Sequence, residues 1–181
     1  MTDEQLRALP YATLGVQVGA AAPSVMVLSR KESDLLYWVS ADHVIFVTSY
    51  GRLVRTQGLK RDLVATDWKG VDPLAAAPGQ SPDPDGLADI QRQLKIGVNH
   101  GETVWVSSSF QEVGDETLPS FNGTLTARRI IERVDVADWR WRTENMFWIA
   151  DSGSVVKSRQ QFCPEIPPIT LELLKRPSNA A

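Results

Sequence analysis

Segments in which apolar and polar residues alternate fill most of the chain, and clusters of Gly, Asp, Ser or Asn separate them. Alternation with a period of two, rich in β-branched and aromatic residues, is typical of β-strands. In the first such segment, Ala12, Leu14, Val16 and Val18 fall on one face. The chain is therefore predicted to be all-β. Strands are predicted at 11–18, 24–29, 35–40, 43–49, 52–59, 62–68, 102–110, 123–134, 144–150, 154–162 and 167–175.

Helical spacing is confined to two short stretches. Leu87, Ile90 and Leu94 recur at the spacing of one helix face, which predicts a short helix near 87–96. A further turn of helix is expected at 3–9. The rest of the pattern indicates tight antiparallel hairpins.

Segment 70–86 interrupts the strands. It holds four prolines and three glycines, which cannot sustain a ladder or a helix for long, so it is predicted to be a loop. The loop is too short to divide the chain. Residues 1–181 are therefore expected to form a single antiparallel β-barrel-like or sandwich domain with one or two short helices.

Composition excludes several classes of function. The 181 residues suit one domain, and no segment approaches the roughly 20 apolar residues of a membrane helix. The net charge of −3 argues against nucleic acid as a partner, because nucleic-acid binding relies on a basic surface. With a single cysteine, Cys163, and two distant histidines, neither a metal nor another cofactor is expected.

Residues 154–157 have the S-x-x-K spacing of serine β-lactamases and penicillin-binding proteins. That spacing brings serine and lysine together only on a helix. Here Asp151-Ser152-Gly153 signals a hairpin turn, so Ser154 and Lys157 are predicted to face opposite ways on an extended segment. The companion S-D-N and K-T-G elements do not occur in the chain. A hydrolase of this type is therefore disfavoured.

Other reactive residue types lack a supporting motif. The carboxylates Glu112, Asp115 and Glu116 are interpreted as an exposed turn rather than a glycosidase pair. His43 is interpreted as a surface residue in a turn. Cys163 is expected to be an inert, partly buried thiol.

Tryptophan offers a candidate binding site. Trp139 and Trp141 are two residues apart, so on a strand they would share a face, with Arg140 and Arg142 on the other face. Stacked indoles and arginines would suit an acidic polysaccharide. Packing in the core is the interpretation that β proteins favour. We expect at least one of the two tryptophans to be buried and the arginine face to be the more accessible.

Charges of both signs are mixed between 128 and 138. The three arginines are balanced by nearby acids, which favours a solvated mixed-charge face. Arg128 is kept as a further candidate contact for a glycan or a partner. The residues of this face are Arg128, Arg129, Glu132, Arg133, Asp135 and Asp138.

The order of several segments is more specific than any one of them. The segments are LPYATLGVQVG at 9–19, YWVSADHVIFVTSYGRLVRTQGL at 37–59, DLVATDWKGVDPL at 62–74 and NMFWIADSGSVVKSRQQFCPEIPPITLELLKRP at 145–177. In this order they resemble the capsule polysaccharide lipoproteins of the GfcB/YjbF family, whose structural type is called YmcC-like. The resemblance is weak only from about 75 to 120.

The resemblance implies a barrel-like domain held on the periplasmic side of the outer membrane by an N-terminal lipid. The lipidated cysteine is expected upstream, so Cys163 is not that residue. The family brings no catalytic motif to transfer. The implied function is therefore that of a non-enzymatic accessory lipoprotein of capsule or exopolysaccharide production and export. It would bind an outer-membrane secretion protein encoded nearby, and an acidic polysaccharide is a further candidate partner. The alternative is a polysaccharide hydrolase or lyase of the same pathway.

Overall fold

The structure is a computed structural model that describes residues 8–75, 90–97, 101–120 and 123–177. Twelve strands in these ranges form one antiparallel sheet, with two 3-10 turns at Pro73–Ala75 and Ala137–Trp139. The strands are β1 (Thr13–Val18), β2 (Ser24–Glu32), β3 (Leu35–Val39), β4 (Ile45–Ser49), β5 (Arg52–Gln57), β6 (Leu63–Trp68), β7 (Ile90–Ile96), β8 (Glu102–Ser120), β9 (Gly123–Val136), β10 (Trp141–Ala150), β11 (Val155–Gln160) and β12 (Ile169–Lys175).

The sheet curls until its two edge strands meet. The strand order is β5-β4-β3-β2-β1-β12-β11-β10-β9-β8-β7-β6, so the edges are β5 and β6, which follow each other in the chain. Side chains bridge this seam. Thr66 Oγ1 donates to the carbonyl of Val54 at 3.1 Å, and the backbone N–H of Leu63 donates to Thr56 Oγ1 at 2.9 Å. The result is a nearly closed barrel, which confirms the all-β, barrel-like prediction.

Inward side chains of the alternating strands form the main apolar core. Its largest member, Trp38, is fully enclosed and donates its indole N–H to Thr48 Oγ1 at 2.9 Å. The core draws on strands from both ends of the chain, which is why the barrel depends on the pairing of β1 with β12. Other members are Leu14, Phe46, Leu63, Ile96, Val136 and Ile169.

Side-chain hydrogen bonds also cross the barrel from β11 to the start of β5. The side chain of Gln160 accepts a hydrogen bond from the Leu53 backbone N–H at 2.9 Å and donates to the Gly51 carbonyl at 2.9 Å. Gly51 has a φ of 79°, and a Cβ at this position would overlap Val155. Glycine is therefore required where the turn before β5 passes over β11.

The prediction of a helix near 87–96 is wrong for the residues of that range that the structure describes. Residues 90–96 form β7, in which Arg92, Leu94 and Ile96 are buried on alternate positions. The sequence did not show the strand period of two because one inward residue, Arg92, is charged. Ile90 and Leu94 are four residues apart and fit the periods of both a strand and a helix. Residues 87–89 lie outside the described residues.

Two further predictions fall partly outside the described residues. Residues 3–7 of the helical turn expected at 3–9, and residues 76–86 of the predicted loop 70–86, lie outside the described residues. The described part of that loop contains the 3-10 turn Pro73–Ala75, which buries Leu74.

The β10–β11 connection is the hairpin that the sequence predicted. The backbone N–H of Gly153 donates to the Ala150 carbonyl at 2.8 Å, and the N–H of Ala150 donates to the Ser154 carbonyl at 3.0 Å. Lys157 lies in β11, with its Nζ 5.6 Å from the ring centroid of Trp148. The S-x-x-K sequence is therefore extended rather than helical.

The barrel seam yields a first prediction. Replacing Thr56, which is 3% exposed, with valine leaves the Leu63 N–H without its acceptor and removes one of the donors to Asp62. We expect Thr56→Val to lower the free energy of unfolding by about 1–3 kcal/mol in urea denaturation. The exposed Thr117→Val is the matched control and should change it by less than about 0.5 kcal/mol. Equal effects of the two substitutions would show that the hydrogen bond between Leu63 and Thr56 does not stabilise the barrel.

Candidate functional site

Charged and amide side chains meet inside the barrel. They come from β5, β7, β9, β10 and the segment after β6, because each occupies an inward position of its strand or turn. All are buried, and Glu132 has no exposed surface. We call this group the interior charge network; its members are Arg52, Asp72, Arg92, Glu132 and Asn145.

Arg52 joins the two carboxylates of the network. Its Nε and Nη2 donate to Asp72 at 2.6 and 3.2 Å, and its Nη1 donates to Glu132 Oε2 at 2.7 Å. Aromatic rings surround the guanidinium, with the centroids of Trp68 and Phe147 each 4.9 Å away. The charge is therefore both paired and shielded from water.

Glu132 accepts hydrogen bonds from three side chains. Arg92 Nη1 donates to Oε1 at 2.5 Å, and Asn145 Nδ2 donates to Oε2 at 2.9 Å beside the bond from Arg52. Arg92 also lies within hydrogen-bond distance of Ser108 Oγ, at 2.8 Å. One carboxylate on β9 thus holds side chains of β5, β7 and β10.

The electrostatics follow from this arrangement. Burial alone would raise the pKa of Glu132, but the charges of Arg52 and Arg92 and the hydrogen bonds to its oxygens outweigh burial and hold that pKa far below its usual range. Burial also lowers the pKa of both arginines. The two carboxylates more than restore the pKa of Arg52, whereas Arg92, which faces the charge of Arg52, keeps a lowered pKa.

The interior charge network has little room for a ligand. A cavity of about 20 Å³ lies beside Arg52, Arg92 and Asn145, which is roughly the space of one water molecule. Two arginines and two carboxylates balance each other within the network. The arrangement is suited to holding strands together.

The predicted binding site at residues 139–142 does not lie on a single strand. Trp139 ends the 3-10 turn Ala137–Trp139, Arg140 has a left-handed φ of 48°, and Trp141 begins β10. The strand alternation expected for these residues is therefore wrong, because the chain turns at Arg140. Even so, the two indoles touch, with centroids 6.3 Å apart.

Both tryptophans serve mainly in packing. Each is partly buried against the main core, and Trp139 donates its indole N–H to Glu102 Oε1 at 2.9 Å. Neither is fully buried. Arg140 and Arg142 are both exposed, whereas the side chain of Arg128 is only 23% exposed and lies 3.8 Å from Glu112.

Glu132 corrects the mixed-charge interpretation of 128–138. The sequence pattern places Glu132 among solvated charges. In the structure its side chain is completely buried, on the same face of β9 as Ile130, Val134 and Val136. The alternation of Ile130, Glu132, Val134 and Val136 was the available signal. Arg133 and Asp135 do lie on the solvent side, as expected.

The remaining candidates lie apart from one another. His43 is exposed at a turn, and Cys163 is buried in the main core, where burial raises its pKa. Glu112 and Asp115 are exposed, as expected, but they belong to β8 and flank a bulge rather than a turn. In the described ranges, no three His, Cys, Asp or Glu side chains gather as they would around a metal ion.

The opposite side of the sheet carries an open polar groove. Its volume is about 500 Å³, and cross-strand pairing places Asp135 between Ser107 on one side and Arg142 on the other. Two exposed ion pairs cross it, Arg142 to Asp135 at 2.5 Å and Arg133 to Glu144 at 3.2 Å. We call its outward residues the polar groove; they are Ser107, Ser109, Arg133, Asp135, Arg142 and Glu144.

Sequence reasoning missed the aromatic neighbour of this groove. Trp105 lies two residues before Ser107 on the same face of β8, and it is 46% exposed. The signal was present, because buried Val104 and Val106 flank it and force the indole outward.

The interior charge network yields a second prediction. Glu132→Gln removes the charge that neutralises Arg52 and Arg92 and should lower the free energy of unfolding by about 3–5 kcal/mol in urea denaturation. The exposed Glu144→Gln is the control, with a cost below about 1 kcal/mol. A Glu132→Gln variant as stable as this control would contradict the assigned role.

The same substitution tests the depressed pKa of Glu132. The stabilisation from this carboxylate is fully present above its unfolded pKa, about 4.3, and is lost as the pH falls toward the lower folded pKa. Wild-type stability should therefore fall with acid below about pH 4.3, and the fall should be shallower in Glu132→Gln.

No helix among the described residues has the length and apolar character needed to cross a membrane.

Comparison with a solved structure agrees with the barrel fold. The crystal structure of the hypothetical lipoprotein YmcC from Escherichia coli (K12) superposes with a TM-score of 0.84 at 28% sequence identity, over 96% of this chain and 88% of that one.

Sequence comparison gives the same answer. The chain is 29% identical to the "Uncharacterized lipoprotein GfcB" of Escherichia coli (strain K12), over 97% of this chain and 81% of that protein. It is 26% identical to the "Uncharacterized lipoprotein YjbF" of the same organism, over 97% and 80%. The family described as "Group 4 capsule polysaccharide lipoprotein gfcB, YjbF" matches residues 1–174. The chain therefore belongs to this family of group 4 capsule polysaccharide lipoproteins.

Proposed function

We propose that the chain is a non-enzymatic accessory component of capsule or exopolysaccharide production and export. A lipid attached upstream would hold it on the periplasmic side of the outer membrane. There it binds a secretion protein of the same pathway and the acidic polysaccharide. Membership of the capsule lipoprotein family supports the pathway, and the contrast between a closed interior and an open outer groove supports binding.

The closed interior is the observation that carries the proposal. A catalytic acid, base or nucleophile must be reachable by substrate and usually has a pKa tuned to its task. Inside the barrel, the displaced pKa values belong to Arg52, Arg92 and Glu132, which are enclosed and bonded to one another. The shifts of Arg52 and Glu132 stabilise their charged forms, and burial keeps all three groups away from a substrate.

The other reactive groups argue in the same direction. The carboxylates of the polar groove, Asp135 and Glu144, are each paired with an arginine. The thiol of Cys163 is buried, and its raised pKa disfavours the nucleophilic thiolate. These groups support a surface that binds a ligand without changing it.

The rival enzyme, a hydrolase or lyase, gives the third prediction. Incubating the purified protein with polysaccharide from the cells that produce it should leave the chain length unchanged, as measured by size-exclusion chromatography with light scattering. A commercial polysaccharide hydrolase acting on its own substrate is the positive control. Shortening by the folded protein that disappears after heat unfolding would replace the binding function with an enzymatic one.

A further inference from the structure

Trp105 is the tryptophan that a ligand can reach. It is 46% exposed, whereas the other five tryptophans are buried or partly buried, and the buried valines on both sides of it hold its strand in place. Lys69 Nζ lies 5.1 Å from its ring centroid and hydrogen-bonds to Gln91 Oε1 at 3.3 Å. The indole is thus positioned at the surface with much of its area open to solvent.

Amide and hydroxyl groups lie next to the indole. Cross-strand pairing sets Gln93 directly opposite Trp105, and Gln91 directly opposite Ser107. Residues opposite each other in antiparallel strands have Cβ atoms about 5 Å apart. Amide and hydroxyl groups both donate and accept hydrogen bonds, which matches the hydroxyls of a sugar. An aromatic platform beside such groups suits a pyranose ring.

The charge of this face differs from that of the whole chain. Lys69, Lys95, Arg133 and Arg142 are the basic side chains around Trp105 and the polar groove, against three acidic ones, Asp67, Asp135 and Glu144. The full chain has a net charge of −3. This face therefore carries a positive surplus on an acidic protein, which complements an anionic ligand.

Both arginines of the polar groove retain donors for that ligand. Arg133 bonds Glu144 through Nε and Gln111 through Nη2, which leaves Nη1. The Arg142 side chain is 83% exposed, and its pair with Asp135 uses Nε. Exposed ion pairs are weak and exchange readily with other carboxylates. A planar guanidinium binds a sugar carboxylate through two parallel N–H bonds.

We infer that Trp105 and the polar groove together bind a carboxylate-bearing polysaccharide segment. One pyranose ring stacks on Trp105, and sugar carboxylates pair with Arg142 and Arg133. The volume of about 500 Å³ is within the usual range for ligand sites. This inference rests on the proposed function and names its ligand class and residues.

The test measures binding by isothermal titration calorimetry with three probes: polysaccharide from the producing cells, alginate as an acidic chain and dextran as a neutral one. We expect the native polysaccharide to bind and alginate to bind more tightly than dextran. Trp105→Ala should raise the dissociation constant at least about fivefold. Arg142→Gln should weaken alginate binding and reduce its salt dependence, leaving dextran binding unchanged.

Matched controls lie elsewhere on the surface. Tyr11→Ala removes an aromatic ring that is 56% exposed, and Arg55→Gln removes an exposed arginine of β5. Both should bind like the wild type, and all four variants should keep the wild-type melting temperature within about 3 °C. Equal binding by Trp105→Ala and wild type, or no binding of any probe, would overturn the inference.

The two proposals fail separately. Loss of the Trp105 effect with an unchanged polysaccharide chain length would refute the inferred site and leave the accessory function standing. Polysaccharide shortening would refute the accessory function whatever Trp105→Ala does.

Discussion

One buried carboxylate, Glu132, accepts hydrogen bonds from Arg52, Arg92 and Asn145, and the closed form of the barrel depends on it. Those donors belong to β5, β7 and β10, so a single group on β9 connects four strands. Arg52 extends the connection to Asp72 beyond β6. Because β5 is one edge of the sheet and β7 lies beside the other, the network pulls the two edges toward each other.

Such a network is a costly way to gain stability. Removing charges from water is unfavourable, and well-packed apolar residues would often stabilise a core as much or more. The network does destabilise alternative strand registers, because a shift of one residue in β7 or β9 would leave an unpaired buried charge. We therefore attribute to it the choice of strand register at the seam. With the interior occupied in this way, the surface that remains for a partner or a glycan is the outside of the sheet.

Alternation of side chains made most of the strands predictable from the sequence. It failed where the inward residue was polar. Arg92 hid the period of β7, and Glu132 looked like one more solvated charge, although it lies in line with Ile130 and Val134. The turn at Arg140 was missed because a 3-10 turn followed by one left-handed residue leaves no periodic trace. Trp105 was within a predicted strand, but pattern alone does not tell which aromatic residues a curled sheet leaves uncovered.

Amide hydrogen exchange in the wild type and in Glu132→Gln tests the central claim most directly, with sucrose added to keep the variant folded. If the interior charge network holds the edges together, exchange will accelerate most in β5, β6 and residues 72–75. Protection in β1 and β12, which pair with each other away from the seam, will fall by no more than the global loss of stability that urea denaturation measures. An equal acceleration in all strands, or unchanged protection at β5 and β6, would contradict the account.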